Sequence, residues 1–219
     1  MNDILSHVLI QPNVVTGDGL NRLVTHMKNA PKEKMGVFDP KKADETRTSQ
    51  SKVDTNTRNV DCADVDGILP EIQELMQDIV THVINPFYNF KVRDSELPQL
   101  LCYEPGGHYL PHNDGQGLWT NPDGTKVWKK TMDRDLSMVL FLNEDFEGGY
   151  FSFPGLRIKI KPEPGLLVCF PSTRFFTHTV EPVTSGNRYA MVTWMRVHGI
   201  PTKEEQDKEI ADKYGIEVY

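Results

Sequence analysis

Two imidazoles, one carboxylate and one guanidinium carry most of the chemistry legible in this sequence. His112 and Asp114 stand two positions apart at the end of the run Gly106-Gly107-His108-Tyr109-Leu110-Pro111-His112-Asn113-Asp114. In extended chain, residues i and i+2 point to one face, so these two side chains are expected to project together. His178 opens a second apolar and aromatic stretch, within Phe175-Phe176-Thr177-His178-Thr179-Val180. Neutral imidazole and carboxylate are ligands for first-row divalent metals. Two His and one acid on one face leave three octahedral positions open for reactants. Arg188 follows ten residues after His178 and opens the apolar run Tyr189-Ala190-Met191-Val192. A guanidinium there is costly to bury without an anion, and its fork of donors suits a carboxylate.

Such a constellation needs rigid strands to hold it. From residue 97 onward, short stretches rich in Val, Ile, Phe and Tyr alternate with Gly and Pro. Strands are predicted near 98–103, 107–113, 135–143, 149–153, 157–161, 166–171, 178–182 and 188–197. Short strands at near-regular spacing predict an all-β sandwich or barrel with helices packed outside. Residues 116–130 place Pro122-Asp123-Gly124 between Trp119 and Trp128 and read as a hairpin-like excursion. Upstream, Leu20, Leu23, Val24 and Met27 have helical spacing after two candidate caps, Thr16 and Asp18. Ile72, Leu75, Met76, Ile79, Val80 and Val83 mark a helix over 69–85, and Pro70 suits its first turn. The polar stretch 38–59 reads as a long loop or irregular strand pair outside the core. The charged tail 202–219 reads as a solvated helix at best.

Composition narrows the classes of function. A chain of 219 residues, 38% hydrophobic and 25% charged, fits one ordinary domain. A net charge of −7 leaves no general basic face, so no nucleic-acid partner is expected. No apolar run reaches the roughly 18 residues that span a bilayer, and the N-terminal segment lacks the features of a secretory signal. Three cysteines, an odd number, argue against a disulfide framework. Cys102 and Cys169 read as reduced core residues. The expected compartment is the cytoplasm.

Taken in order, these landmarks resemble a known family. They are Tyr103, then Gly106-Gly107-His108-Tyr109, then His112-x-Asp114. Next come Arg134-Asp135-Leu136-Ser137-Met138-Val139-Leu140-Phe141-Leu142-Asn143 and Gly148-Gly149-Tyr150-Phe151-Ser152-Phe153, and last His178 with Arg188. The set resembles the Fe(II)/2-oxoglutarate-dependent dioxygenases, in their prolyl 4-hydroxylase-like branch. The resemblance spans roughly residues 97–197. It implies a mostly β fold with supporting helices, built on a double-stranded β-helix (a jelly roll, cupin-like). Residues 1–219 then form one dioxygenase domain. Residues 1–96 supply helical support and a polar substrate-side loop, 97–197 the jelly-roll catalytic core, and 198–219 a tail.

The resemblance also implies roles. His112, Asp114 and His178 match the iron ligands, and Arg188 matches the residue that pairs with the far carboxylate of 2-oxoglutarate. Tyr103 matches a cosubstrate contact, and Ser137 a small hydroxyl near the same carboxylate. Phe141 stands where some members carry a tyrosine, so that hydroxyl is missing here. Arg47-Thr48-Ser49 resembles a substrate-side segment of prolyl hydroxylases. Trp119 and Trp128 are expected either at the mouth of the site or stapling their own hairpin. His108 is expected at the pocket rim or in a structural role, and Trp194 in the core. The implied reaction uses Fe(II), 2-oxoglutarate and O2, with ascorbate in support. It couples decarboxylation to succinate and CO2 with hydroxylation of an unactivated C–H bond. The leading substrate is a prolyl residue in a peptide or protein; a free amino acid or small metabolite is the alternative. A non-catalytic jelly-roll binding module is the third reading, which an intact ligand set disfavours.

Overall fold

The computed structural model describes residues 2–38 and 51–215. Arg47 therefore lies outside the described residues. The alternation of apolar side chains organises the described residues around two main antiparallel sheets, beside three two-stranded pairs. The larger sheet runs in the order Leu9–Gln11, Leu167–Pro171, Leu136–Phe141, Arg188–Val197, Gln99–Tyr103, Asp61–Ala63, Lys32–Lys34, and Val92–Ser95 pairs with the far end of Arg188–Val197. The smaller one runs Ile158–Ile160, Phe151–Phe153, His178–Val180, His108–His112, Arg58–Asn59. All eight predicted strands are present; Arg188–Val197 keeps its predicted bounds and the other seven are trimmed by a residue or a few.

The large sheet is covered on both faces, which explains its nearly unbroken apolar runs. Leu100, Cys102, Met138, Leu140, Leu167, Cys169, Met191 and Met195 face the helices, where they meet Leu23, Met27, Ile72, Met76 and Ile79. The alternate residues Leu101, Tyr103, Val139, Phe141, Val168, Phe170, Ala190, Val192 and Trp194 face the second sheet, against Phe151, Phe153 and Val180. A period of two therefore assigns each residue to one of two cores. The inner core is the more aromatic, and it contains the site.

The helices match expectation with local differences. Thr16 is the N-cap of Gly17–Asn29 by position, but its side chain makes no capping hydrogen bond. The Leu69–Ile79 helix passes through a π turn, Val80–Ile84, into Asn85–Tyr88. The π turn lies just ahead of Pro86, which lacks the N–H that a regular turn would use.

Two readings need correction. The N-terminal third is not only helix and loop: Leu9–Gln11, Lys32–Lys34, Arg58–Asn59, Asp61–Ala63 and Val92–Ser95 all join the two sheets. A strand pair does form at the polar stretch, Val37–Phe38 with Ser51–Lys52, yet Arg58 within that stretch is buried. The tail helix, Lys203–Tyr214, is more than a solvated appendage. A complete capping box between Thr202 and Glu205 starts it. Its Asp207 is only 5% exposed and pairs with both Lys129 and Lys203. The hairpin Gln116–Thr120 with Lys126–Lys130 is thereby fastened to the tail.

Candidate metal centre and its cavity

The two histidines meet because their strands are neighbours: His178 lies directly opposite His112 in the smaller sheet. Their rings stand 4.3 Å apart between centroids. Each Nδ1 faces the carbonyl two residues back, His112 to Leu110 at 2.8 Å and His178 to Phe176 at 3.0 Å. With Nδ1–H donating to these carbonyls, each Nε2 keeps its lone pair for a ligand. Asp114 places Oδ1 3.6 Å from His112 Nε2 and Oδ2 3.6 Å from His178 Nε2. One ligand atom from each of the three residues lies within 4.8 Å of the others.

The pleat does not orient Asp114, because the strand ends at His112 and Asp114 sits in the bend that follows. Other elements hold it there. Ser137 Oγ donates to Asp114 Oδ2 at 2.7 Å and is 2.8 Å from Ser172 Oγ. Since Ser137 has one hydroxyl proton and spends it on Asp114, Ser172 is the donor of that second bond. The backbone behind the bend is tightly packed. A Cβ at Gly115 would come within 2.7 Å of the Ser172 carbonyl and 2.8 Å of the Arg134 carbonyl.

Burial and the neighbouring His178 hold the His112 imidazole well below its ordinary pKa, so it is neutral. Burial alone would raise Asp114, but the two imidazoles, the Ser137 hydroxyl and the Trp194 indole outweigh it, so it is ionised. A neutral His112 and an ionised Asp114 are the protonation states in which these residues bind a divalent cation.

Arg188 is 1% exposed and lines the same cavity. Its guanidinium carbon lies 4.8 Å from the Tyr103 ring centroid and 5.0 Å from that of Phe141. Burial draws its pKa down to about 10, with only the Tyr103 hydroxyl pulling back, so the group stays charged at neutral pH. Nε and Nη1 have no hydrogen-bond partner. Gly149 makes room for it, since a Cβ there would come 2.9 Å from Arg188 Cδ.

The remaining expectations separate. Tyr103 lines the cavity opposite Arg188 in register. Ser137 also lines it, but its hydroxyl is engaged by Asp114 and Ser172 rather than turned to Arg188. Trp119 and Trp128 are not among the cavity residues. Trp119 lies under Lys129, whose Nζ is 4.1 Å from its ring centroid, on the side fastened to the tail helix. Trp128 stands across from Leu118 and meets Arg174. The local parity of a hairpin distinguishes its two faces; it does not say which one a distant helix covers. His108 lies between the Gly106 and Asn56 carbonyls, at 2.9 and 3.1 Å, and so ties two segments together.

Trp194, Tyr109 and Arg58 are among the cavity residues that sequence reasoning did not assign to the site. Trp194 shares the parity of Arg188 along one strand, a signal that was available. Tyr109 stacks on His112 at 3.5 Å between centroids. Arg58 comes from a two-residue strand with no periodicity to read.

Residues 98–196 match the family model of the 2OG-Fe(II) oxygenase superfamily. Over that stretch the chain is similar to that superfamily. That similarity implies Fe(II), 2-oxoglutarate and O2. The residues fit that set, with two imidazoles and a carboxylate for the metal and a buried guanidinium with two unpartnered donors for a carboxylate. A PKHD-type hydroxylase of Psychrobacter sp. (strain PRwf-1) is 40% identical over 52% of this chain and 42% of its own length. Prolyl 3-hydroxylase 2 of Homo sapiens is 34% identical over 42% of this chain and 14% of its own. The chain thus spans less than half the length of these two relatives. Among solved structures, a Trichoplax adhaerens prolyl hydroxylase bound to a hypoxia-inducible-factor peptide fragment superposes with a TM-score of 0.66 at 17% identity. That match covers 96% of this chain and 89% of the other, and it shows a shared fold. No helix among the described residues is long and apolar enough to cross a membrane.

Proposed function

We propose that this protein is an Fe(II)- and 2-oxoglutarate-dependent hydroxylase of an unactivated C–H bond, with a prolyl residue of a peptide or protein as its substrate. One observation carries the reading. The His112, Asp114 and His178 ligand atoms converge within 4.8 Å on a cavity that also holds a buried guanidinium with two unpartnered donors. In this reading His112 and His178 bind the metal through Nε2 and Asp114 through its carboxylate. Arg188 holds the far carboxylate of 2-oxoglutarate against the Tyr103 ring. Ser137, backed by Ser172, keeps Asp114 turned toward the metal, a role distinct from the cosubstrate contact expected of it. Bound Fe(II) with 2-oxoglutarate supplies the activation of O2, releasing succinate and CO2. The apolar inner core around the site, with Phe151, Val139 and Val192, keeps bulk water from the reacting centre.

The prolyl assignment draws on the named activities of the relatives and stands on the family reading. Purified protein with Fe(II), 2-oxoglutarate and ascorbate should form succinate when offered a proline-containing peptide, and the peptide should gain 16 mass units, one oxygen, as general chemistry requires of hydroxylation. Ascorbate is expected to sustain turnover. Absence of succinate above background across peptide and free amino-acid panels would sink the reading.

A further inference from the structure

The cavity holds a second buried arginine that the reaction above does not use. Arg58 is 8% exposed and sits on the edge strand beside His108–His112, directly paired with Tyr109. It lines the cavity together with His112, Asp114, His178 and Arg188. Its guanidinium carbon is 4.9 Å from the Tyr109 ring centroid, and that ring stacks on His112. The charge therefore lies one aromatic ring away from a residue of the metal trio.

The hydrogen bonds of Arg58 are incomplete. Nη1 donates to the Gly36 carbonyl at 3.2 Å, while buried Nε has no partner. Among the described residues no carboxylate lies within ion-pair distance of it. Other arginines of this protein differ: Arg22 pairs with Glu71, Arg134 with Glu96 and Arg196 with Asp94. Arg134 and Arg196 both grip their carboxylates through Nε and Nη2. That is the edge of Arg58 left free by the bond from Nη1 to Gly36. A guanidinium has donors only, so burying one without a full set of acceptors is unfavourable until an anion arrives. The only other arginine with orphaned buried donors among the described residues is Arg188. The two carboxylates of 2-oxoglutarate are already allotted, one to the metal and one to Arg188. Arg58 thus needs a different anion.

We propose that Arg58 is a second anion receptor of this site and that it binds a carboxylate carried by the substrate. The proposal rests on the hydroxylase reading and narrows it. The substrate presents an acid close to the carbon that is hydroxylated, either the α-carboxylate of a free amino acid or an acidic side chain next to the target residue in a peptide. Bidentate pairing through Nε and Nη2 would fix the substrate's orientation over the metal as well as its affinity.

The test is binding to the protein loaded with Mn(II) and 2-oxoglutarate, followed by calorimetry, with matched probes that differ only in charge. One pair is L-proline and L-prolinamide; the other is a short peptide containing Pro-Glu and the same peptide with Pro-Gln. The charged member of at least one pair should bind about 10-fold or more tightly, the worth of a charge-assisted hydrogen bond. Which pair discriminates identifies the source of the carboxylate. Arg58→Gln should erase that preference by weakening the charged probe alone, and Arg58→Lys should retain part of it. Equal binding of acid and amide in both pairs, or no binding of any probe to loaded protein, overturns the proposal. So does a preference that survives Arg58→Gln. The acid–amide comparison in the unsubstituted protein needs no variant and stands even if Arg58→Gln does not fold. Failure to take up Mn(II) and 2-oxoglutarate at the outset removes the hydroxylase reading itself, and this inference with it.

Discussion

Two buried carboxylates in this protein are each flanked by two basic side chains, and their situations differ. Asp207, on the tail helix, lies between Lys129 and Lys203. Asp114, in the inner core, lies between His112 and His178. Burial would raise both acids, and in both cases the neighbours outweigh it and hold the carboxyl ionised. The lysines around Asp207 bring their own positive charge, so that cluster is complete and its product is attachment of hairpin to tail. The His112 imidazole is neutral, and both rings give their Nδ1 protons to backbone carbonyls. The Nε2 atoms of both rings and the Asp114 carboxylate then face one point. Ammonium groups close such a cluster, whereas imidazoles whose protons are committed elsewhere leave it open for a metal.

That contrast can be broken experimentally, and the largest effect is expected at the open cluster. Asp114→Ala should abolish succinate formation and metal uptake, as should His178→Ala. Metal-free protein carrying Asp114→Ala should lose only the contribution of the Ser137 hydrogen bond, about 1 kcal/mol, because no lysine is stranded. Calorimetric metal titration with a parallel melt reads both, and retained metal binding would refute the ligand assignment. Arg188→Ala should come next, raising the 2-oxoglutarate requirement roughly 10- to 100-fold, the value of charge-assisted hydrogen bonds in a buried site. An unchanged requirement would remove its role.

At the closed cluster the expected change is in stability. Asp207→Ala strands Lys129 and should cost about 1–3 kcal/mol, with partial exposure of Lys203 limiting the loss. For a chain of this size that is a fall in Tm of roughly 2–4 °C per kcal/mol. Metal affinity should be unchanged, and a large drop would show that the hairpin positions the centre. The smallest effect is with pH in the metal-free protein. The native pKa of His112 is depressed below the ordinary 6.5, so between these values the unfolded chain binds more protons. Stability should therefore decline as pH falls through 6.5, by at most about 1.4 kcal/mol per unit. Asp114, also depressed, adds a further loss below its ordinary 3.8. Denaturant melts from pH 7.5 down to 5.5 would show it, and His112→Gln should flatten the slope.

The sheets were legible where strands are long. Leu136–Phe141 and Arg188–Val197 announce themselves because burial on both faces demands unbroken apolar runs. The edge strands Arg58–Asn59 and Lys32–Lys34 are two and three residues of polar chain. A period of two cannot be read from so few positions, and their pairing comes from the strands they meet. Asp207 looked like any solvated helix charge, since its burial depends on Lys129 arriving from a hairpin remote in sequence.

What the sequence by itself determined is the identity and approximate grouping of the reactive side chains. His112, Asp114, His178 and Arg188 occupy positions where only a strand scaffold and a charged ligand make physical sense of them. Tertiary structure alone decided what supports and surrounds them. It gave the Ser137 hydroxyl to Asp114, turned Trp119 toward the tail and brought Arg58 into the cavity beside Tyr109. The reason is the range of the interactions involved. Alternation and spacing are properties of neighbouring residues, whereas a hydrogen bond or a cavity wall forms between segments that only folding brings together.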